Sequence, residues 1–323
     1  MLEPNYRNKY PPMGLMKLAM YHRLQGDDVV FYKGDFRTFE ISQIAEEIFD
    51  RLFMICPEIK LRNFTPEIKE YIRSGKLAQN PEFQEVAKQA FVRKWLNHAR
   101  QKFRSGGYFE EPHWDRVCVT TLFTFYWDIT IETIKFAQRI GKEVSVGGIL
   151  ASVVPNKVFE ATGIKPHVGI LKVKQLGSDK PLDCVIDELP LDYSILEEID
   201  YKYPETNAFY SYTTRGCVNQ CKFCAVPILE GRGKKHFVDY IPLKQRLKKT
   251  TERFGEQRHL LLLDNNVFAS KKFDVIIDEI RDSNFGRGAK FTPPNLLNIA
   301  IRQLREGWND RAYIRMAVRL LNE

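Results

Sequence analysis

Three cysteines fall within eight residues: Cys217, Cys221 and Cys224, in the run Arg215-Gly216-Cys217-Val218-Asn219-Gln220-Cys221-Lys222-Phe223-Cys224. No other feature restricts the fold of this 323-residue chain as tightly. In a reducing compartment such a group is metal-binding rather than disulfide-bonded, so the segment is expected to be a cysteine-bearing loop. Three thiolates in a short loop can hold three irons of a cubane [4Fe–4S] cluster. The fourth iron is then left without a protein ligand and is open to an external chelating molecule. Zinc is the alternative. A structural zinc site uses four ligands, commonly in C-x2–4-C pairs. His236 lies twelve residues beyond Cys224, which fits no finger spacing. The other cysteines, Cys56, Cys118 and Cys184, are scattered and read as buried free thiols.

The length predicts two domains, and the chain is long enough for two cores. A 44% hydrophobic and 28% charged composition excludes a disordered, collagenous or coiled-coil chain. The longest nearly apolar stretch, Val144 to Val154, is too short to span a bilayer. The first residues lack the apolar core of a signal peptide. The expectation is a cytoplasmic protein without a membrane partner. The net charge is +8, and residues 215–258 hold eleven Lys/Arg against four Asp/Glu. Such a stretch can attract nucleic acid or an anionic cofactor. A solvated helix face explains it equally well.

Around the cysteines the chain reads as α/β. Met13, Leu15, Met16, Leu18, Ala19 and Met20 suggest a helix buried on a broad face. Val29 to Tyr32 reads as a strand. Only Met1-Leu2 stands where a strand before that first helix belongs, so that strand is expected to be very short. Ile41, Ile44, Ala45, Ile48 and Phe49 recur at helical spacing, and similar patterns to Arg104 predict a helical insertion at about 39–104. Trp95 and Phe91 read as its core. A strand at Arg116–Leu122, a helix ended by Gly141, a strand at Glu143–Val146, a helix closed by Gly163 and a strand at Val168–Leu171 follow. This alternation predicts a doubly wound parallel sheet over residues 1–175. Gly147-Gly148 at a strand end either lets a ligand approach the backbone or makes a bare tight turn.

Residues 176–206 are polar, proline-punctuated and acidic, and read as an interdomain linker. A second domain over 207–323 opens with a strand at Ala208–Thr213, followed by the cysteine loop. A helix at Pro242–Phe254 and a strand at His259–Leu263 come next, ending in Asp264-Asn265-Asn266. Ser270 looks like the N-cap of another helix. From Thr292 the chain reads as two helices with no third strand.

A C-x3-C-x2-C loop just after a strand, with Phe223 before its last cysteine, resembles the radical S-adenosylmethionine superfamily. The resemblance implies that Cys217, Cys221 and Cys224 hold a [4Fe–4S] cluster whose open iron is chelated by S-adenosylmethionine. One electron then cleaves that cofactor to methionine and a 5′-deoxyadenosyl radical. It also implies an electron donor such as flavodoxin or ferredoxin, Phe223 near the adenine, and polar contacts to the cofactor from Asp264, Asn265 and Asn266. The motif says almost nothing about substrate. Pro11-Pro12-Met13-Gly14-Leu15 before a helix and Val146-Gly147-Gly148-Ile149 after a strand look like the cobalamin-binding-like Rossmann domain of one subfamily. The Asp-x-His-x-x-Gly signature of a cobalt-coordinating histidine is absent, so the fold is expected and a bound cobalamin is not.

Cys224-Ala225-Val226-Pro227, followed by Gly231-Arg232-Gly233, is similar to methylthiotransferases that modify tRNA or a ribosomal protein. Those carry three further cysteines, whose placement Cys56, Cys118 and Cys184 do not match. Ninety-nine residues follow Cys224, fewer than a six-stranded β/α barrel needs. The fold expected is therefore an N-terminal doubly wound sheet with a helical insertion, then an incomplete barrel that a second chain could complete. The rivals are a noncatalytic cluster-binding remnant and a zinc-stabilised nucleic-acid-binding module.

Overall fold

The structure is a computed structural model that describes residues 1–55, 60–171, 185–204, 207–222, 224–285 and 289–291. Its fold is mixed α/β, with two small parallel sheets. Helix α1, Met13–Gln25, buries Leu15, Met16, Ala19 and Met20 and ends at Gly26, whose φ of 87° is left-handed. Four helices follow: α2 (Phe36–Ile55), α3 (Thr65–Ser74), α4 (Pro81–Lys88) and α5 (Ala90–Ser105). They occupy the stretch where the sequence pattern predicts helices. The α2 row of Ile41, Ile44, Ala45, Ile48 and Phe49 packs on Ile68, Ile72, Phe83 and Leu96. Phe91 and Trp95 lie against the same core, as anticipated. Burying each such side chain stabilises by about 1.5–3 kcal/mol.

Strands β1 (Trp114–Thr121) and β2 (Gly141–Gly148) pair in parallel, Val117 opposite Val144 and Val119 opposite Val146. Helix α6, Trp127–Ile140, connects them and buries Ile131, Ile134, Ala137 and Ile140. Leu2 makes parallel bridges to both Tyr32 and Val119, giving the lateral order Tyr32, Leu2, β1, β2. The anticipated very short first strand is thus a single bridging residue at the centre. The expected strand at Val29–Tyr32 is reduced to the bridge at Tyr32. Beyond β2 come α7 (Ile149–Val153) and α8 (Pro155–Thr162).

The strand expected at Val168–Leu171 does not form. Gly169 has a φ of 84°, which breaks an extended run. Its amide donates to Ser152 Oγ rather than to a strand (3.2 Å), while His167 N reaches Val146 O at 2.8 Å.

The second unit holds β3 (Ala208–Ser211), α9 (Val226–Leu229), α10 (Lys244–Phe254), β4 (His259–Leu262), α11 (Phe273–Asp282) and β5 (Ala289–Phe291). Its sheet is parallel, in the order β3-β4-β5. β5 is a third strand that the sequence did not signal, because Ala-Lys-Phe is too short to show a pattern. The helical pair expected from Thr292 lies outside the described residues. Phe273, Ile276, Ile277 and Ile280 of α11 cover Leu260 and Leu262. Ser270 does not cap α11. It lies two positions before the cap residue Lys272, where its Oγ accepts from Lys272 N at 3.0 Å and donates to Asp239 O at 2.6 Å.

Residues 185–204, read as linker, are packed. Leu191, Ile195, Ile199 and Tyr203 share one core with Leu15, Met16 and Phe31 on one side and Ala208, Tyr210 and Leu261 on the other. Polar ties reinforce the strap. Arg23 pairs with Asp192 (3.0 Å) and Glu198 (2.7 Å), and Tyr203 donates to Glu3, which pairs with buried Lys33 at 3.2 Å. Asp187, Asp192 and Glu198 are therefore partners of buried or half-buried cations rather than signs of a solvated tether.

Candidate functional site

Parallel pairing of β3 and β4 brings their carboxyl ends to one edge, Ser211 opposite Leu262. The cysteine loop leaves from one end and Asp264-Asn265-Asn266 from the other. The buried pair Thr213-Thr214 joins β3 to the loop. Arg215 and Val238 then form an antiparallel bridge, with reciprocal N–H···O bonds of 3.2 and 2.9 Å. Gly216 follows at φ 76°, where a Cβ would lie 2.8 Å from His236 O. Only glycine fits there.

Asp264 is fully buried. Its Oδ1 accepts from Thr213 N (2.9 Å), Thr213 Oγ1 (2.8 Å), Thr214 N (2.5 Å) and Thr214 Oγ1 (2.7 Å). Burial pushes its carboxyl above the ordinary range despite these donors. The side chain expected to touch a cofactor is thus engaged with the root of the cysteine loop. Asn265 Nδ2 donates to Glu230 Oε2 at 3.2 Å. Asn266 is buried, and its Nδ2 donates to Cys217 Sγ at 3.4 Å, while its Oδ1 has no partner among the described residues.

The cysteines are free thiols. Cys217 and Cys224 are half-buried and Cys221 is exposed. Cys217 Sγ also accepts from Asn219 N at 3.4 Å. Two N–H groups, from Asn219 and Asn266, thus point at this one sulfur. Phe223 lies outside the described residues. Among the described residues no three His, Cys, Asp or Glu side chains are gathered around one point, whether for iron or for a zinc set including His236. Three unpaired sulfurs on one loop, one of them already receiving N–H donors, nonetheless suit a thiolate-ligated cluster in donor chemistry. Cys118 is buried in β1, where desolvation raises its thiol pKa. Cys56 and Cys184 fall outside the described residues.

An ion chain ties the loop to the first unit. Arg215 pairs with Glu230 at 2.8 Å and with Asp187 at 2.9 Å, and Asp187 pairs with Lys17 of α1 at 2.8 Å. Glu230 also accepts from Gly216 N. Burial alone lowers the Arg215 pKa, but Glu230 and Asp187 outweigh it and hold the guanidinium above its ordinary value. Burial also works to raise Asp187, and Lys17 and Arg215 reverse it, leaving the carboxyl below the usual range. Lys17 is pulled down to about 8 by burial, against the opposing effect of Asp187. Sequence reading missed Lys17, Asp187 and Glu230, whose partners lie far away in the chain. The faint signal was Glu230, an acid close behind the cysteines in a basic stretch.

That basic stretch divides in two. Arg215 and Arg246 are half-buried, and Arg246 donates to Tyr212 O at 2.5 Å. Lys244, Lys248, Lys249 and Arg253 lie on the exposed side of α10.

No family model and no solved structure matches the chain. It is similar to an uncharacterized methyltransferase of Synechocystis sp., at 28% identity over 171 residues. The match covers 50% of this chain and 32% of that protein, so the chain corresponds to about a third of its relative.

Proposed function

We propose that the chain is a radical S-adenosylmethionine enzyme in which Cys217, Cys221 and Cys224 hold a [4Fe–4S] cluster. The observation that carries this reading is the C-x3-C-x2-C loop at the carboxyl edge of a parallel sheet, with Asn266 of the next strand end donating to Cys217 Sγ. On this reading β3-β4-β5 is the opening of a β/α barrel. The order Tyr32, Leu2, β1, β2 belongs to a doubly wound, cobalamin-binding-like domain. The relative's name, a methyltransferase, agrees with use of S-adenosylmethionine.

The bound cluster would supply the electron, received from a flavodoxin or ferredoxin, that cleaves S-adenosylmethionine reductively. The protein's own part is positional. Asp264 fixes the root of the loop through Thr213 and Thr214. Glu230 fixes Gly216 and orients Asn265. Asn266 donates to Cys217 Sγ, and its buried Oδ1 has no partner among the described residues.

The test is anaerobic reconstitution with iron and sulfide. The expected result is bound iron, a broad sulfur-to-iron charge-transfer absorption, and 5′-deoxyadenosine on reduction with S-adenosylmethionine. Cys221→Ser should lose both signals. Stoichiometric zinc in place of iron, or iron retained after all three cysteines become serine, refutes the cluster. Iron without 5′-deoxyadenosine refutes the enzyme and leaves a remnant.

A further inference from the structure

The positive charge of this chain has a second centre besides the cysteine region. Residues 86–109 carry Lys88, Arg93, Lys94, Arg100, Lys102 and Arg104 and not one Asp or Glu. Five of these lie on α5, which buries Val92, Leu96 and Ala99 in the core it shares with α2, α3 and α4. The opposite face exposes Arg93, Lys94, Asn97, His98, Gln101 and Arg104. They recur at helical intervals and so form one row. At 1.5 Å of rise per residue, Arg93 and Arg104 at its ends stand about 16 Å apart. A solvated face ordinarily mixes signs, as on α10, where Lys248 lies 3.9 Å from Glu252. The α5 row does not. Lys102 is neutralised by Glu47 at 2.6 Å, Lys88 pairs with Glu85, and Arg100 donates to Tyr71 O at 3.3 Å. Arg93, Lys94 and Arg104 make no ion pair among the described residues, and Arg93 lies over the Tyr71 ring at 5.7 Å. Three exposed like charges on one face repel one another, a cost that an anionic partner removes.

The row borders an open groove of about 640 Å³, lined by Lys88, Arg93, Lys94, Asn97, His98 and Gln101 together with Ala90. Among the described residues no carboxylate and no large apolar side chain lines it. His98 and Gln101 also border a different groove, between α2 and α5, and the carboxylates of Glu47, Glu110 and Glu111 belong to that one. This pattern selects among polyanions. A membrane surface takes a helix whose apolar face is free to enter it, and the apolar face of α5 is buried in the core. A single nucleic-acid strand is held by bases stacked on aromatic rings. The row has none, and the neighbouring Trp95 is covered by Arg51 at 5.1 Å and edged by His98 at 5.5 Å. The major groove of DNA admits a helix that stands clear of its neighbours, whereas α5 is packed among three others. An A-form RNA duplex instead presents a wide, shallow minor groove, with 2′-hydroxyls between two phosphate strands. The row follows that order: cations at both ends, and Asn97, His98 and Gln101 between them.

We infer that the α5 row is a docking surface for double-stranded RNA, held through phosphates and 2′-hydroxyls without regard to base sequence. The inference needs neither iron nor S-adenosylmethionine, so it and the cluster reading can fail independently. The experiment is fluorescence anisotropy of the full chain with a labelled RNA duplex. A DNA duplex and single-stranded RNA of the same sequence are compared, and polyglutamate is the competitor. The expected result is saturable binding of the RNA duplex, tighter than of either comparison. Neutralising three phosphates predicts that raising salt from about 50 to about 200 mM weakens binding about fortyfold. Arg93→Gln, Lys94→Gln and Arg104→Gln together should weaken it at least about tenfold and flatten the salt dependence. All three side chains are exposed, so the circular dichroism spectrum should be kept. Lys244→Gln, Lys248→Gln and Lys249→Gln on α10 should leave the affinity unchanged. Absence of saturable RNA-duplex binding overturns the inference. So does single-stranded RNA or duplex DNA bound as tightly, or an affinity untouched by the α5 variant. Polyglutamate that displaces the duplex at equal charge also overturns it, and marks an acidic protein as the partner.

Discussion

Replacing Asp264 probes how the cysteine loop is held. Asp264→Ala removes the acceptor of two backbone amides and two hydroxyls, all buried. The hydroxyls can rotate toward other acceptors, but the Thr213 and Thr214 amides cannot. Each orphaned amide costs about 1–3 kcal/mol, and removing a carboxylate that burial disfavours returns part of that. The net loss is about 3 kcal/mol. Asp264→Asn keeps a carbonyl acceptor and sheds the buried charge, so it should cost about 1 kcal/mol. The direct assay is hydrogen exchange at the Thr213 and Thr214 amides. A local loss of 3 kcal/mol speeds exchange about a hundredfold, and the Asn variant should show about a third of that logarithmic gain. The pH dependence has a definite sign. Because the folded carboxyl lies above its unfolded value of 3.8, its contribution is complete below that pH and declines as pH rises through the folded pKa. Asp264→Asn should remove that decline. Equal exchange in wild type and Asp264→Ala would refute the account of how the loop is anchored.

Two further outcomes test the local geometry. Gly148→Ala places a methyl 2.3 Å from Thr121 O at a positive φ and should cost about 1–3 kcal/mol in thermal unfolding, whereas Gly147→Ala should stay within about 0.5 kcal/mol. Under native conditions a thiol reagent should modify exposed Cys221 well before Cys118. Cys118 is shielded in β1 and has a raised thiol pKa, so it should react only when the chain is unfolded, as mass mapping of the labelled peptides would show.

Local pattern was legible and long-range pairing was not. The α2 row of apolar residues and the cysteine loop after β3 each declare themselves in a few adjacent residues. β5 is too short to alternate, and its strand character comes from its neighbour Leu260–Leu262. Leu2 is the converse: one residue becomes central because Tyr32 and Val119 flank it. Val168–Leu171 has strand-forming side chains, but the left-handed backbone at Gly169 overrides them. At the site, Asp264 was visible as a strand-end carboxylate. Its direction was not, because the choice between a cofactor and the Thr213-Thr214 amides is decided by how β3 and β4 pair.

Arg215 ties the two units together through ion pairs. In sequence it is the residue two places before the first cysteine. In space it joins Glu230, which holds Gly216, to Asp187, which holds Lys17 of α1. Removing it leaves Glu230 without its cation and Asp187 with Lys17 alone, a cost larger than an exposed ion pair's. The apolar strap at 185–204 adds a second tie, since its core includes side chains of both sheets.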